Sequence, residues 1–183
     1  MNHRFIFWDL ETTGLNPYYD KIIEIAAMDN LGNKFHTLIN ITKPIPTKVT
    51  EITGITDKML IGQPSIDLAL KSFIEFIDDA SWLIGHNSIK FDQYFLLCAL
   101  KKAGFKIRKH KHLDTLCMAQ IKHPRANSYS LKNLCAYFGI EQKNAHRAMN
   151  DVIATKSLFD KLLWSSNLED IYDKIYINDV CEC

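Results

Sequence analysis

The feature that most constrains this chain is a strand-like run that ends in acids, FIFWDLETTG, from Phe5 to Gly14. Phe5, Ile6, Phe7 and Trp8 are aromatic or β-branched and follow only a few polar residues, the pattern of an N-terminal core strand. Successive strand side chains point to opposite faces, so Asp9 and Glu11 emerge side by side on one of them. Two adjacent carboxylates near an interior must take up protons, find donors or share a cation, because an unpaired buried charge is the costliest outcome. The alternative is a solvated strand end at which Thr12, Thr13 and Gly14 make a turn. On this stretch alone the two readings stand level.

A chain of 183 residues, 47% of them hydrophobic, can build one domain with a sizeable core but not two of ordinary size. Residues 1–183 are therefore expected to form a single domain, with 165–183 as a C-terminal tail. The 22 Lys plus Arg against 21 Asp plus Glu leave a formal charge of +1, which excludes a global polyelectrolyte. A nucleic-acid partner must be held by local patches. No apolar run is long enough to span a bilayer, and the N-terminus lacks a signal-peptide core. An intracellular protein, cytoplasmic or nucleoid-associated, with no membrane partner is expected. The five cysteines (Cys98, Cys117, Cys135, Cys181, Cys183) are odd in number, and three lie in helix-like stretches. Reduced thiols are expected, with Cys181 and Cys183 in a frayed terminus.

After the first strand, KIIEIAAMDN and NKFHTLINI flank Asn30-Leu31-Gly32-Asn33, a hairpin signal. A Pro-punctuated loop leads to a short helix at VTEITG. PSIDLALKSFIEFIDDA then has helical spacing, with Ser65 placed to cap. WLIGHN reads as a buried strand ending at Gly85, SIKFDQYFLLCALKKAG as a helix stopped by Gly104, and HLDT as a further strand. TLCMAQIKH, SLKNLCAYFG and HRAMNDVIATKSLFDKLLW read as helices. The order predicts an α/β fold, a mixed sheet with helices on its faces.

In such sheets ligands gather at the carboxyl ends of parallel strands. Asp9 and Glu11 end the first strand, and GHNSIKFD puts Asp92 in the first turn of the next helix. Near the other end of the chain, AHRAMNDVIA supplies His146 and Asp151. Five residues on one helix lie about 140° apart, so both can face one site only if His146 precedes the helix in a loop. Hard divalent ions such as Mg²⁺ take oxygen ligands, and a pair of them can stabilise the attacking and leaving oxygens of a phosphodiester displacement. Histidine can take the proton of an attacking water. Taken singly, Asp92, Asp151 or His146 has a structural explanation as a cap, a dipole partner or a satisfied side chain.

DLETTG, GHNSIKFD and HRAMND, in that order, resemble the three motifs of the DEDDh, or DnaQ-like, 3′→5′ exonucleases. IIEIAAM, VTEITGITDKMLIGQPS, LDTLCMA and YSLKNLCAYFGI resemble the corresponding parts of that family's proofreading epsilon subunits. The resemblance covers nearly all of the chain to Leu163. It implies a ribonuclease H-like fold: a five-stranded mixed sheet, second strand antiparallel, flanked by helices. It implies two divalent ions, Mg²⁺ or Mn²⁺, with Asp9 bridging both, Glu11 and Asp151 completing one site, and Asp92 holding the second, partly through water. His146 would be the general base. The backbone of Thr12, Thr13 and Gly14 would approach the terminal nucleotide, Ile55 would pack on its base, and Asn87 would position the site or cap the helix, capping being preferred.

The implied activity is release of nucleoside monophosphates from single-stranded or frayed 3′ ends, since a paired end must first be unpaired. DNA is the favoured substrate, RNA the alternative, and a DNA polymerase or other protein a partner consistent with proofreading. An inactive nucleic-acid-binding module is the reading from another class, and the five intact positions argue against it. Lys101 to His112, KKAGFKIRKHKH, is either a backbone-phosphate contact or a solvated loop. Tyr129 is expected to pack in the core, with base stacking as its alternative.

Overall fold

Strand β1, Phe5–Thr12, occupies the middle of a five-stranded sheet in the order β3-β2-β1-β4-β5. The structure is a computed structural model that describes residues 4–78, 80, 82–106, 109–142, 145–164 and 167–177, with the side chains of 176 and 177 excluded. β2 (Ile22–Asp29) is antiparallel to β1, and β3 (Lys34–Leu38) is antiparallel to β2 through the expected hairpin. β4 (Trp82–Gly85) and β5 (Lys111–Asp114) extend the other side in parallel. This is the ribonuclease H-like mixed sheet with an antiparallel second strand.

Alternation along β1 sorts its residues between two cores. Ile6, Trp8 and Leu10 pack with Phe73, Phe95 and Leu96 from helices α3 (Ile66–Ile77) and α4 (Asp92–Ala103). Phe7 faces the opposite side, where α5 (Thr115–Lys122), α6 (Leu131–Phe138) and α7 (Ala148–Leu163) lie. Phe159 of α7 meets the Phe7 ring edge-on at 5.4 Å. Asp9 and Glu11 share the Phe7 face, so the pleat aims both acids toward α7. Two short helices, α1 (Thr47–Thr53) and α2 (Asp57–Leu60), follow β3. The Ser65 hydroxyl caps α3 by accepting from Leu68 N, and Gly104 ends α4 in the left-handed conformation.

The expected tail contains an eighth helix, α8 (Leu168–Ile177). Ile171 and Ile175 are buried in the α7-side core, which stabilises docking by roughly 1.5–3 kcal/mol for each apolar side chain removed from water. Tyr172 meets the Trp82 ring edge-on at 5.1 Å, and Lys111 Nζ lies 4.7 Å from the Trp82 centroid while pairing with Glu169. The basic run is thereby divided. Lys111 fastens α8 at the amino end of β4 and β5, away from the acidic strand ends; Lys102 donates to the Tyr18 carbonyl, and His110 bonds the Ala80 carbonyl. Ile107 and Arg108 lie outside the described residues.

Cys98 and Cys135 are free thiols as expected, whereas Cys117 is disulfide-bonded, a departure from the all-reduced expectation. Cys181 and Cys183 lie outside the described residues. No helix among the described residues is long and apolar enough to cross a membrane.

Candidate active site

β4 is short, and its pairing with β1 stops at Phe7. Beyond that point the β4-side edge of β1 lacks a strand partner, and a helix start takes its place. Asp92, the first residue of α4, accepts a hydrogen bond from Leu10 N at 3.0 Å and is buried. From the opposite face α7 brings Asp151 to the β1 acids. One oxygen each of Asp9, Glu11 and Asp151 lies within 4.8 Å of the others. Asp92 is outside this group of three but close enough for its charge to act on Asp9.

These carboxyls crowd one another. Burial raises Asp9 well above the usual carboxylate range, with Asp92, Glu11, Asp151 and Glu24 adding to it. Burial also lifts Glu11 to about 8, helped by Asp151, Glu24 and Asp92, and lifts Asp92 to about 8 against the bond from Leu10. Asp151 is raised by burial, though bonds from Gln142 and His146 N oppose the shift. Among the described residues nothing donates a hydrogen bond to the Asp9 or Glu11 side chain.

Glu24 makes the contrast. It faces Glu11 across the β1–β2 ladder and is fully buried, yet its carboxylate accepts from His36 Nε2 (2.7 Å), Arg147 Nη2 (2.9 Å) and Ala148 N (3.0 Å). Burial alone would raise it; the bonds from His36, Arg147 and Ala148 prevail and hold it below the usual range. Glu24 is thus saturated with protein donors, Asp92 and Asp151 accept a few bonds, and Asp9 and Glu11 accept none among the described residues. Such a set of hard oxygen donors fits a divalent cation of the Mg²⁺ or Mn²⁺ type.

His146 stands in the loop before α7, exposed, with φ of 66°. Its N–H donates to Asp151 Oδ2 at 2.9 Å, so its main chain orients the acid, and the residue lines an adjoining cavity of about 390 Å³. Gln142 Nε2 holds the other Asp151 oxygen at 2.6 Å, and its own buried Oε1 has no partner among the described residues. Asp9, His86, Asn87, Tyr129 and Lys132 also line the cavity. His146 and Asn87 are the two non-glycine residues with positive φ among those described, and both face this one space. Left-handed backbone at such residues clusters at functional sites.

Two of the expected placements differ in the structure. Ile55 has no exposed surface and packs with Ile23, Ile45 and Leu60, so core contacts replace the expected base contact. Asn87 does not cap α4, whose N-cap is Phe91; Asn87 turns the chain, donates its N–H to Asp114 Oδ1 and lines the cavity. Thr12 ends β1 beside Glu11, and Thr13 and Gly14 follow it into a turn in which the two threonine hydroxyls donate to the Gly14 carbonyl and to Asp20. A Cβ on Gly14 would run into the Asp20 carboxylate, which Thr13 and Asn16 N hold in place. Tyr129 is half-buried against the core, its hydroxyl donating to the His123 carbonyl.

Sequence reasoning also missed residues that shape the site. Asp114 caps α5 and accepts from Asn87 N and Ile89 N, fixing the turn that leads to Asp92. His86 is lowered by burial to about 4 and is neutral. Its Nε2 faces the Tyr129 carbonyl at 2.9 Å, which can only accept, so Nε2 carries the proton and Nδ1 accepts from the Thr115 hydroxyl. Glu24 and Arg147 were legible only as a lone acid in an apolar strand and a base beside His146.

A family model described as RNase_T, exonuclease, matches residues 6–159. The PolC-type DNA polymerase III of Halalkalibacterium halodurans is 35% identical over 183 residues, 98% of this chain but 13% of that protein. The DNA polymerase III epsilon subunit of Aquifex aeolicus is 34% identical over 179 residues, covering 96% of this chain and 85% of that subunit. Among solved structures, E. coli exonuclease I in complex with a dA16 oligonucleotide superposes with a TM-score of 0.81 at 20% identity, covering 96% of this chain and 43% of that one. The last likeness shows the shared fold.

Proposed function

The chain belongs to the exonuclease family, and from that premise we propose that it hydrolyses nucleic acid from the 3′ end, releasing nucleoside monophosphates. The observation that carries this reading is the convergence of Asp9, Glu11 and Asp151 beside Asp92 and His146, with the first two carboxylates unclaimed by any donor described. Asp9, Glu11 and Asp151 would hold divalent Mg²⁺ or Mn²⁺, and Asp92 would complete the site for a second ion. When bound, such ions supply Lewis-acid stabilisation of the charge that develops on the phosphate oxygens. The chain's own residues do the rest. His146 accepts the proton of the attacking water at its imidazole, and the bond from its N–H keeps Asp151 in orientation. The cavity beside it receives the terminal nucleotide, with Asn87 at its wall and Lys132 as a phosphate contact.

Single-stranded or frayed DNA is the favoured substrate. The relatives support that choice: several are DNA polymerases, and the exonuclease I structure holds a deoxyoligonucleotide. They also support a proofreading role beside a DNA polymerase, in whatever intracellular compartment holds the DNA.

The test uses matched DNA and RNA strands, blocked at one end or the other, with Mg²⁺ or Mn²⁺ and with excess chelator. A 5′-blocked DNA strand should be shortened to mononucleotides and a 3′-blocked one should resist. Chelator, Asp9→Ala or Asp151→Ala should abolish cleavage while circular dichroism stays native. Degradation from the 5′ end, or undiminished cleavage in chelator, would falsify the proposal.

A further inference from the structure

Beyond the reacting groups, we infer that Glu24 and Arg147 form a clamp that positions His146, holding the main chain between His146 and α7 against the sheet so that the imidazole enters the cavity in one orientation. The inference rests on the exonuclease reading for the role of His146, but the clamp is visible without it. α7 has no side-chain cap of its own, since its N-cap residue Arg147 makes none. The Ala148 N–H, which would otherwise be an orphan of the first helical turn, donates to Glu24 Oε2. The Arg147 guanidinium bonds Oε1 of the same carboxylate through Nε and Nη2 at 3.2 and 2.9 Å, and His36 of β3 bonds that oxygen as well. A single buried carboxylate of β2 therefore joins β3, the His146 loop and α7.

The need for such a joint lies in the backbone of His146. Its φ of 66° is left-handed, a strained conformation for a non-glycine residue that persists only where the surroundings over-determine it. His146 is held on both sides. Its own N–H is fixed by Asp151, and the residues that follow it, the Arg147 side chain and the Ala148 N–H, are fixed by Glu24. Releasing the second anchor lets φ relax and carries the imidazole away. Arg147 is thus a positioning residue acting through His146, not one that meets the substrate.

Arg147→Met and Glu24→Gln in the full chain test this, each measured alone and in a His146→Ala background. Arg147 is half-exposed, so its replacement removes the side-chain half of the clamp with little demand on the core. Either substitution should lower kcat roughly 10- to 100-fold with KM nearly unchanged, as expected of a misplaced group. In the His146→Ala background the same substitution should change kcat by less than about twofold, because no imidazole remains to be placed. Independently, in the metal-free protein, the His146 and Ala148 amides should exchange with solvent about tenfold faster than in the parent, while β1 amides keep their protection. Losses of equal size in both backgrounds, or unchanged exchange at those amides, overturn the clamp. A parent protein without exonuclease activity would instead count against the function, and the exchange measurement would still decide the clamp.

Discussion

Raising the pH should weaken this protein when divalent cations are absent, and supplying the cations should restore it. The cause is the Glu11 carboxyl, carried from 4.5 to about 8 by burial and then by the charges of Asp151, Glu24 and Asp92. The folded chain keeps this proton over a range in which the unfolded chain has lost it. Between those two values the folded state binds more protons, so stability falls as pH rises. The contribution is fully present below about 4.5 and gone above about 8. At roughly 1.4 kcal/mol for each pKa unit, the Glu11 displacement corresponds to about 5 kcal/mol. Asp9 and Asp92 titrate in the same cluster, so their shifts are not added to it. For a domain of this size each kcal/mol moves Tm by about 2–4 °C, so the fall is on the order of 10 °C. Thermal melts of chelator-treated protein from about pH 5 to about pH 8.5 would measure it. Adding Mg²⁺ or Mn²⁺ should raise Tm more at about pH 8 than at about pH 5.5, because protons compete for the same oxygens. Glu11→Gln should flatten the slope. A Tm that stays level or rises over this range in the metal-free protein, with a cation increment independent of pH, would mean that the carboxylates are solvated and would refute the reasoning.

His146→Ala should lower kcat roughly 10²–10⁴-fold, the span for losing a positioned general base, while calorimetric Mn²⁺ affinity stays nearly unchanged, since the imidazole is outside the carboxylate group. Near-parental turnover would remove it from the mechanism. Ile175→Ala, at a position with no exposed surface, should cost about 2–5 kcal/mol in urea unfolding and leave kcat/KM alone, because α8 packs at the end of the sheet away from the acids. A variant as stable as the parent would show that α8 is not docked.

The acidic pair was legible because a strand has a period of two: Asp9 and Glu11 had to share a face, and they share the one that meets α7. The loop position of His146 was legible from helical geometry for a similar reason. Glu24 was not, because one acid in IIEIAAMD looks like a strand imperfection until the β1–β2 register sets it opposite Glu11. Asp114 was hidden likewise, since its importance comes from the parallel neighbour β4, whose outgoing turn it bonds. In α8, Leu168, Ile171, Tyr172 and Ile175 stand at helical spacing, so the helix itself was within reach; what periodicity could not supply was the Trp82 and Lys111 surface that receives it. Ile55 shows the reverse error, a residue assigned to substrate by resemblance whose side chain the core had already claimed.

The three converging carboxylates come from positions 9, 11 and 151, nearly the full length of the described chain apart. During synthesis, a ribosome that has released the polypeptide through α6 has delivered all five strands but only two of those acids. The acidic set is complete only once α7 has joined the sheet, because the packing that lays Phe159 over Phe7 also brings Asp151 beside Asp9 and Glu11.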